Sequence, residues 1–225
     1  MILVAIETST QRLSVALWQD GKLLERGADS QTGGSMLVLP WIGELLAEAG
    51  IDKGRLDGVA FGAGPGSFTG LRLACGVAQG FAFGLDLPTV GVTTLAALAL
   101  ASGERRVFAC MDARMNEVYT AAYEVAGGEV TELEAPRVAP PELVVVPEGP
   151  DWIACGDGYA SYAGRLPAAP RVRADVFPTA AAVAQLAAPR LARGEGVAAA
   201  LATPLYVRDK VALTTAERLA RGGLR

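Results

Sequence analysis

The sequence contains no histidine. That removes Ser-His and Cys-His catalytic pairs and the usual transition-metal sites in one step. Any chemistry would have to rest on carboxylates, lysine, tyrosine or the residues of a partner. Cysteine is nearly as scarce. Cys75, Cys110 and Cys155 stand far apart, with no CxxC pair and no disulfide framework, which fits a reducing compartment. Long apolar runs are missing as well. The best of them, residues 73–85, is too short to cross a bilayer and carries Gln79 among several glycines. The apolar opening, residues 2–6, is too short for a signal peptide and has no basic flank. The expectation is a cytoplasmic chain without membrane contact. Nor is there a basic excess: 20 Lys and Arg face 24 Asp and Glu. A net charge of −4 argues against a self-sufficient nucleic-acid binder, though not against a place beside nucleic acid inside a complex.

What is present is apolar and patterned. With 225 residues, 51% of them hydrophobic, the chain can bury a sizeable core and is no candidate for disorder. Residues 2–6 and 13–18 read as a strand hairpin joined by Glu7-Thr8-Ser9-Thr10, and Asp20-Gly21 turns the chain into a third strand through Leu23-Leu24. A helix is predicted over 35–49 with Gly50 as its stop, and Pro40 predicts a kink or a late start. A strand at 56–61, a glycine turn, a helix to Gly84, a strand at 88–92 and a helix from Thr93-Thr94 through Ala101 complete the first half.

The second half restarts the plan. Strands are predicted at 107–111, 118–125 and 130–138, then a proline-rich stretch, a strand at 152–155, an alanine-rich helix from 179 to about 193, and the run Pro204-Leu205-Tyr206-Val207-Arg208. Glu7 ends the first strand of one half and Asp112 ends that of the other. The reading is α/β, with two lobes that are each a mixed sheet flanked by helices. The boundary falls where charge and glycine interrupt the apolar pattern, giving residues 1–103 and 104–225, the C-terminal segment being expected to pack back on the first lobe.

The turn itself reads Gly62-Ala63-Gly64-Pro65-Gly66-Ser67-Phe68-Thr69-Gly70-Leu71-Arg72. No lysine follows these glycines as a P-loop requires, and Ser67 stands where a dinucleotide fingerprint needs glycine. Two readings stand. Gly64, Gly66 and Ser67 contact a nucleotide phosphate at a helix N-terminus, with Glu7 helping to hold magnesium. Alternatively, Ser67 is a helix cap and Glu7 closes its own hairpin turn. Asp112-Ala113-Arg114 is read as a salt-bridged turn, and Gly156-Asp157-Gly158 as a second phosphate turn or an ordinary loop.

After the turn, Gly76, Gly80 and Gly84 recur every four residues along one helix face. Each destabilises a helix interior by roughly 0.5–1 kcal/mol relative to alanine, so close packing on the bare backbone is expected, by an internal element or by a partner helix. In the helix at 35–49, Val38, Ile42, Leu45 and Ala49 form a core stripe, and Leu37 and Trp41 fall beside it. The candidate partner surface is therefore Leu37, Trp41, Arg72, Gly76, Gln79, Gly80 and Phe83. No catalytic residue and no metal-ligand set is expected.

The text GxGPGSFTGLR closely resembles the signature of the TsaB family, the dimerisation subunit of the bacterial machinery for threonylcarbamoyl-adenosine in tRNA. The resemblance extends through Ile6-Glu7-Thr8-Ser9, Leu39-Pro40, Ala78-Gln79-Gly80, residues 90–95, residues 112–119 and Pro204-Leu205-Tyr206-Val207-Arg208. It implies the actin/Hsp70/sugar-kinase (ribonuclease H-like) fold in each lobe. It also implies a non-catalytic chain that binds and activates a catalytic paralogue, TsaD, which transfers threonylcarbamoyl to N6 of the adenosine next to the anticodon. An ATPase, TsaE, joins that pair. ATP or ADP and magnesium then belong to the assembled complex rather than to this chain alone, and tRNA is met indirectly. An exposed apolar helix pair is self-complementary under two-fold symmetry, so a homodimer is expected when TsaD is absent. The alternative is a small-molecule kinase or ATPase of the same superfamily, which requires a complete nucleotide cleft with phosphate loops in both lobes.

Overall fold

A computed structural model describes residues 1–29 and 34–208. The first sheet starts as an antiparallel meander of β1 (Ile2–Glu7), β2 (Arg12–Gln19) and β3 (Lys22–Asp29). Helix α1 (Ser35–Ala49) follows, and Gly50 ends it in the left-handed conformation (φ 63°). It runs unbroken through Pro40, so there is no late start. The chain returns through β4 (Gly58–Gly64), α2 (Phe68–Gly84), β5 (Pro88–Thr93) and α3 (Thr94–Ser102). β4 lies parallel to β1, and β5 parallel to β4. Thr93 precedes α3 as expected, but its hydroxyl makes no capping bond.

The second sheet repeats the first. β6 (Arg106–Arg114), β7 (Glu117–Ala126) and β8 (Glu129–Ala139) form a meander, and β9 (Trp152–Cys155) lies parallel to β6. The one-turn α4 (Gly158–Ser161) leads on to β10 (Arg171–Arg173), parallel to β9. Strand order is β5-β4-β1-β2-β3 in one lobe and β10-β9-β6-β7-β8 in the other, the same topology twice. The fold is therefore α/β with two lobes of like topology, each a mixed sheet flanked by helices.

The chain then crosses back. α5 (Ala180–Ala192) starts at Thr179, whose Oγ1 accepts from the Ala182 N–H at 3.1 Å. β11 (Val197–Ala198) adds antiparallel to β5 at the edge of the first sheet. The sheets divide the chain between α3 and β6, but the segment 180–201 packs with the first sheet rather than the second. The cause is the period-two burial of β1. Val4 and Ile6 face α1 and α2 on one side, while Leu3 and Ala5 face the alanines of α5 on the other. A strand buried on both faces needs a helix layer on each. α3 is apolar all round and lies between the lobes, with Ala97 in the first core and Leu95, Leu98 and Ala99 in the second. Among the described residues no helix is long and apolar enough to cross a membrane.

Candidate functional site

The glycine turn sits at the base of a cleft of about 670 Å³ between the lobes. Its glycines make room for the chain's own atoms. A Cβ at Gly62 would collide with the Glu7 carboxyl, and one at Gly70 with the Thr8 carbonyl. At Gly66 it would stand 2.7 Å from the Ser9 carbonyl oxygen, and at Gly64 2.7 Å from that of Leu205. Ser67 donates its N–H to the Ser9 carbonyl at 2.7 Å, and its Oγ accepts from the Gly70 N–H at 3.5 Å. Thr8 Oγ1 donates to the Gly70 carbonyl at 2.7 Å. The structure brings Glu7, Gly64, Gly66 and Ser67 together, but the first hairpin turn and a C-terminal segment lie against them. Ser67 serves as the N-cap of α2.

Glu7 is fully buried. Its Oε1 accepts from the Ser9 N–H at 2.6 Å, which closes the hairpin turn, and its Oε2 has no partner among the described residues. Burial pushes its carboxyl above the usual range, and the hydrogen bonds from Ser9 only partly oppose that. In the second lobe Asp112 holds its turn together. Its Oδ1 accepts from the Arg114 N–H at 2.7 Å and from the Tyr162 hydroxyl at 2.9 Å, and its Oδ2 pairs with Arg114 at 3.0 Å. Asp157 Oδ1 accepts from the Asp112 N–H at 2.9 Å. Arg114, Met115 and Asn116 all have positive φ, and this tight turn forms part of the cleft wall. Asp157, raised chiefly by burial, is thus a structural acceptor in the loop Gly156-Asp157-Gly158. Among the described residues no three His, Cys, Asp or Glu side chains converge as metal ligands.

The outer face of α2 is different. Gly76, Gly80 and Gly84 have open space where a Cβ would stand. The close packing expected there is thus not made by the described residues. Arg72 is exposed beside them, Gln79 is half-buried and Phe83 is 77% exposed. On α1, which shares the same face of the first sheet, Met36 and Leu39 are exposed and Leu37 is 38% exposed. Trp41 stands between these two conditions. It is half-buried and leans on the first core, because its ring is large enough to cover the edge of the Val38–Ile42 stripe.

Residues 202–208 lie back on the first lobe and also reach the second, a bridging strap that the sequence does not indicate. Leu205 donates its N–H to the Ala63 carbonyl at 2.7 Å, where the β4–β5 ladder has a bulge between Gly62 and Gly64. The Ala202 carbonyl accepts from Gln79 Nε2 at 2.9 Å. At the far end Arg208 pairs with Glu117 and donates to the Ala113 carbonyl at 3.1 Å. The strap therefore ties α2 to the Asp112 turn across the cleft. The only signal in the sequence was the run Pro204-Leu205-Tyr206-Val207-Arg208, which carries no periodicity.

The chain is 34% identical over 227 residues to the tRNA threonylcarbamoyladenosine biosynthesis protein TsaB of Escherichia coli, covering 94% of this chain and 96% of that protein. The chain belongs to the TsaB family. A TsaB of Haemophilus influenzae is 45% identical over 123 residues, covering 53% of this chain and 52% of that one. Residues 34–215 also match the family model described as TsaD: tRNA N6-adenosine threonylcarbamoyltransferase, so TsaB and TsaD sequences are related. Among solved structures, YeaZ from Pseudomonas aeruginosa superposes with a TM-score of 0.86 at 41% identity, covering 91% of this chain and 99% of that one. A second Pseudomonas aeruginosa structure, described as an uncharacterized protein with similarity to peptidase YEAZ, gives 0.87 at 41% identity over 92% and 99%. This TsaB-family chain thus belongs to tRNA threonylcarbamoyladenosine biosynthesis, and the YeaZ fold extends over 91% of it.

Proposed function

We propose that this chain is the non-catalytic dimerisation subunit of the complex that transfers threonylcarbamoyl to N6 of the adenosine next to the tRNA anticodon, and that it acts by binding and activating TsaD. One observation carries the reading: the outer face of α2 leaves the backbone of Gly76, Gly80 and Gly84 uncovered beside the exposed Phe83. Gly76 and Gly80, inside the helix, each destabilise it by roughly 0.5–1 kcal/mol, which calls for a neighbour that the described residues do not supply. The N-terminal lobe, residues 1–103, carries that surface with α1 beside it. TsaE joins the pair, ATP or ADP and magnesium act in the assembled complex, and tRNA is met through TsaD. Without TsaD the same helices pair two copies of this chain. The setting is the cytoplasm.

The kinase or ATPase alternative draws little from the glycine turn, because no lysine follows its glycines and Ser67 is spent as the N-cap of α2. Transfer assays with TsaD, TsaE, ATP and tRNA, run with and without this chain, test the proposal. Activity that needs this chain, with none from the chain alone, is expected. Failure to form a complex with TsaD on a sizing column at micromolar concentration would sink it. Tight magnesium-dependent ATP binding by the isolated chain would favour the alternative.

A further inference from the structure

Arg72 projects from the second turn of α2 and is held in place without an acidic partner. Its guanidinium carbon lies 3.7 Å from the centre of the Phe68 ring, and its Nε donates to the Tyr206 hydroxyl at 3.3 Å. Phe68 and Tyr206 support each other with ring centres 6.1 Å apart. No Asp or Glu pairs with Arg72 among the described residues, whereas Arg26, Arg114, Arg165 and Arg208 each have one. The stack fixes the plane of the guanidinium and the Nε bond fixes its edge. Among the described residues the two Nη groups at its tip have no partner, and that fork matches a carboxylate bidentately.

A notch of about 210 Å³ opens beside it, lined by Arg72, Gly76, Gln79, Ala202, Pro204 and Tyr206. Its volume suits one side chain rather than a nucleotide. It is continuous with the bare α2 backbone at Gly76, where a second protein surface can approach closely. The net charge of −4 disfavours a polyanionic occupant.

Resting on the partner reading above, we infer that this notch receives an Asp or Glu side chain from a helix of the TsaD partner, gripped end-on by the fork of Arg72. The strap is then part of the partner site, because Tyr206 sets the guanidinium before the partner arrives. Preorganisation of this kind removes an ordering cost from association.

The test is calorimetric titration of TsaD into the full chain and three variants, each first shown by thermal melting to keep its fold. R72Q is expected to weaken binding by at least about tenfold, the loss of a charge-assisted pair. R72K keeps the charge but not the fork, and most of the loss is expected to remain. Y206F leaves the Nη groups intact yet frees the guanidinium, so a loss of roughly threefold or more is expected. The salt dependence of binding should also flatten in R72Q. Unchanged affinity in R72Q and Y206F overturns the inference while leaving the partner reading in place. If R72Q dissociates a homodimer of this chain but leaves TsaD binding intact, the occupant is a second copy and the inference is likewise overturned. If the unaltered chain does not bind TsaD at all, the partner reading fails and takes this inference with it.

Discussion

The carbonyl oxygen of Leu205 stands 2.7 Å from the point that a Cβ on Gly64 would occupy. Gly64 also has φ near 121°, outside the range of ordinary side chains. G64A therefore meets both a backbone atom that cannot swing away and a strained dihedral. Urea unfolding should show a loss on the order of 1–3 kcal/mol, and the strap should loosen from β4. A neutral result would mean that the strap moves aside at little cost.

The glycines on the outer face of α2 should behave in the opposite way. Among the described residues, the helix's own backbone aside, nothing approaches within 4 Å of an added Cβ at Gly76 or Gly80. G76A and G80A should each stabilise the isolated chain by roughly 0.5–1 kcal/mol in denaturant titrations, through helix propensity. The same substitutions should weaken the complex with TsaD. The two measurements together, gain alone and loss in complex, mark an interface in a way that neither does by itself.

Glu7 predicts a pH dependence. Its folded-state carboxyl is held above the ordinary range by burial. Below that ordinary range the folded and unfolded chains both keep the proton, and the full stability is present. As pH rises through the unfolded value toward the raised folded one, the unfolded chain releases its proton first, so stability falls. E7Q should remove that part of the slope. Melting temperatures of both proteins between about pH 4 and 8 check it, and parallel curves would refute the assignment.

The cysteines should be silent in the native state. All three are buried, and burial pushes the Cys110 thiol to about 12 and Cys155 to about 11. The thiolate is the reactive form, so a thiol reagent should label the folded chain only as fast as it opens. Labelling kinetics in rising denaturant should track unfolding, and a rapid native phase would contradict the burial.

Most of the fold was legible because its signals are local. The meander of β1 to β3 is announced by alternating apolar runs and by Asp20-Gly21, and α5 by Thr179 ahead of an alanine run. β10 and β11 were not legible, since strands of three and two residues carry no periodicity. Pro40 stands in the second turn of α1, where it removes one backbone bond and crowds the carbonyl of Met36, and the buried stripe of Val38, Ile42 and Leu45 holds the helix through it. At the site, glycine spacing located the turn but not its contents. What lies against the glycines of such a turn depends on chain that arrives from far away, here Thr8, Ser9 and Leu205. Tyr206 was hidden for the same reason, being 134 residues from the arginine it positions.

The return of α5 to the first sheet sets an order of events during synthesis. β1, β2, β4 and β5 leave the ribosome early, with Leu3, Ala5, Ala16, Val90 and Val92 facing a layer that does not yet exist. That layer is the helix Ala180–Ala192, which emerges only after the whole second sheet. The lobe that begins first is completed last. Such distant contacts slow folding, and a chain that stops before this helix leaves an apolar sheet face open to aggregation. Damage near the C-terminus should therefore be felt first in the N-terminal half.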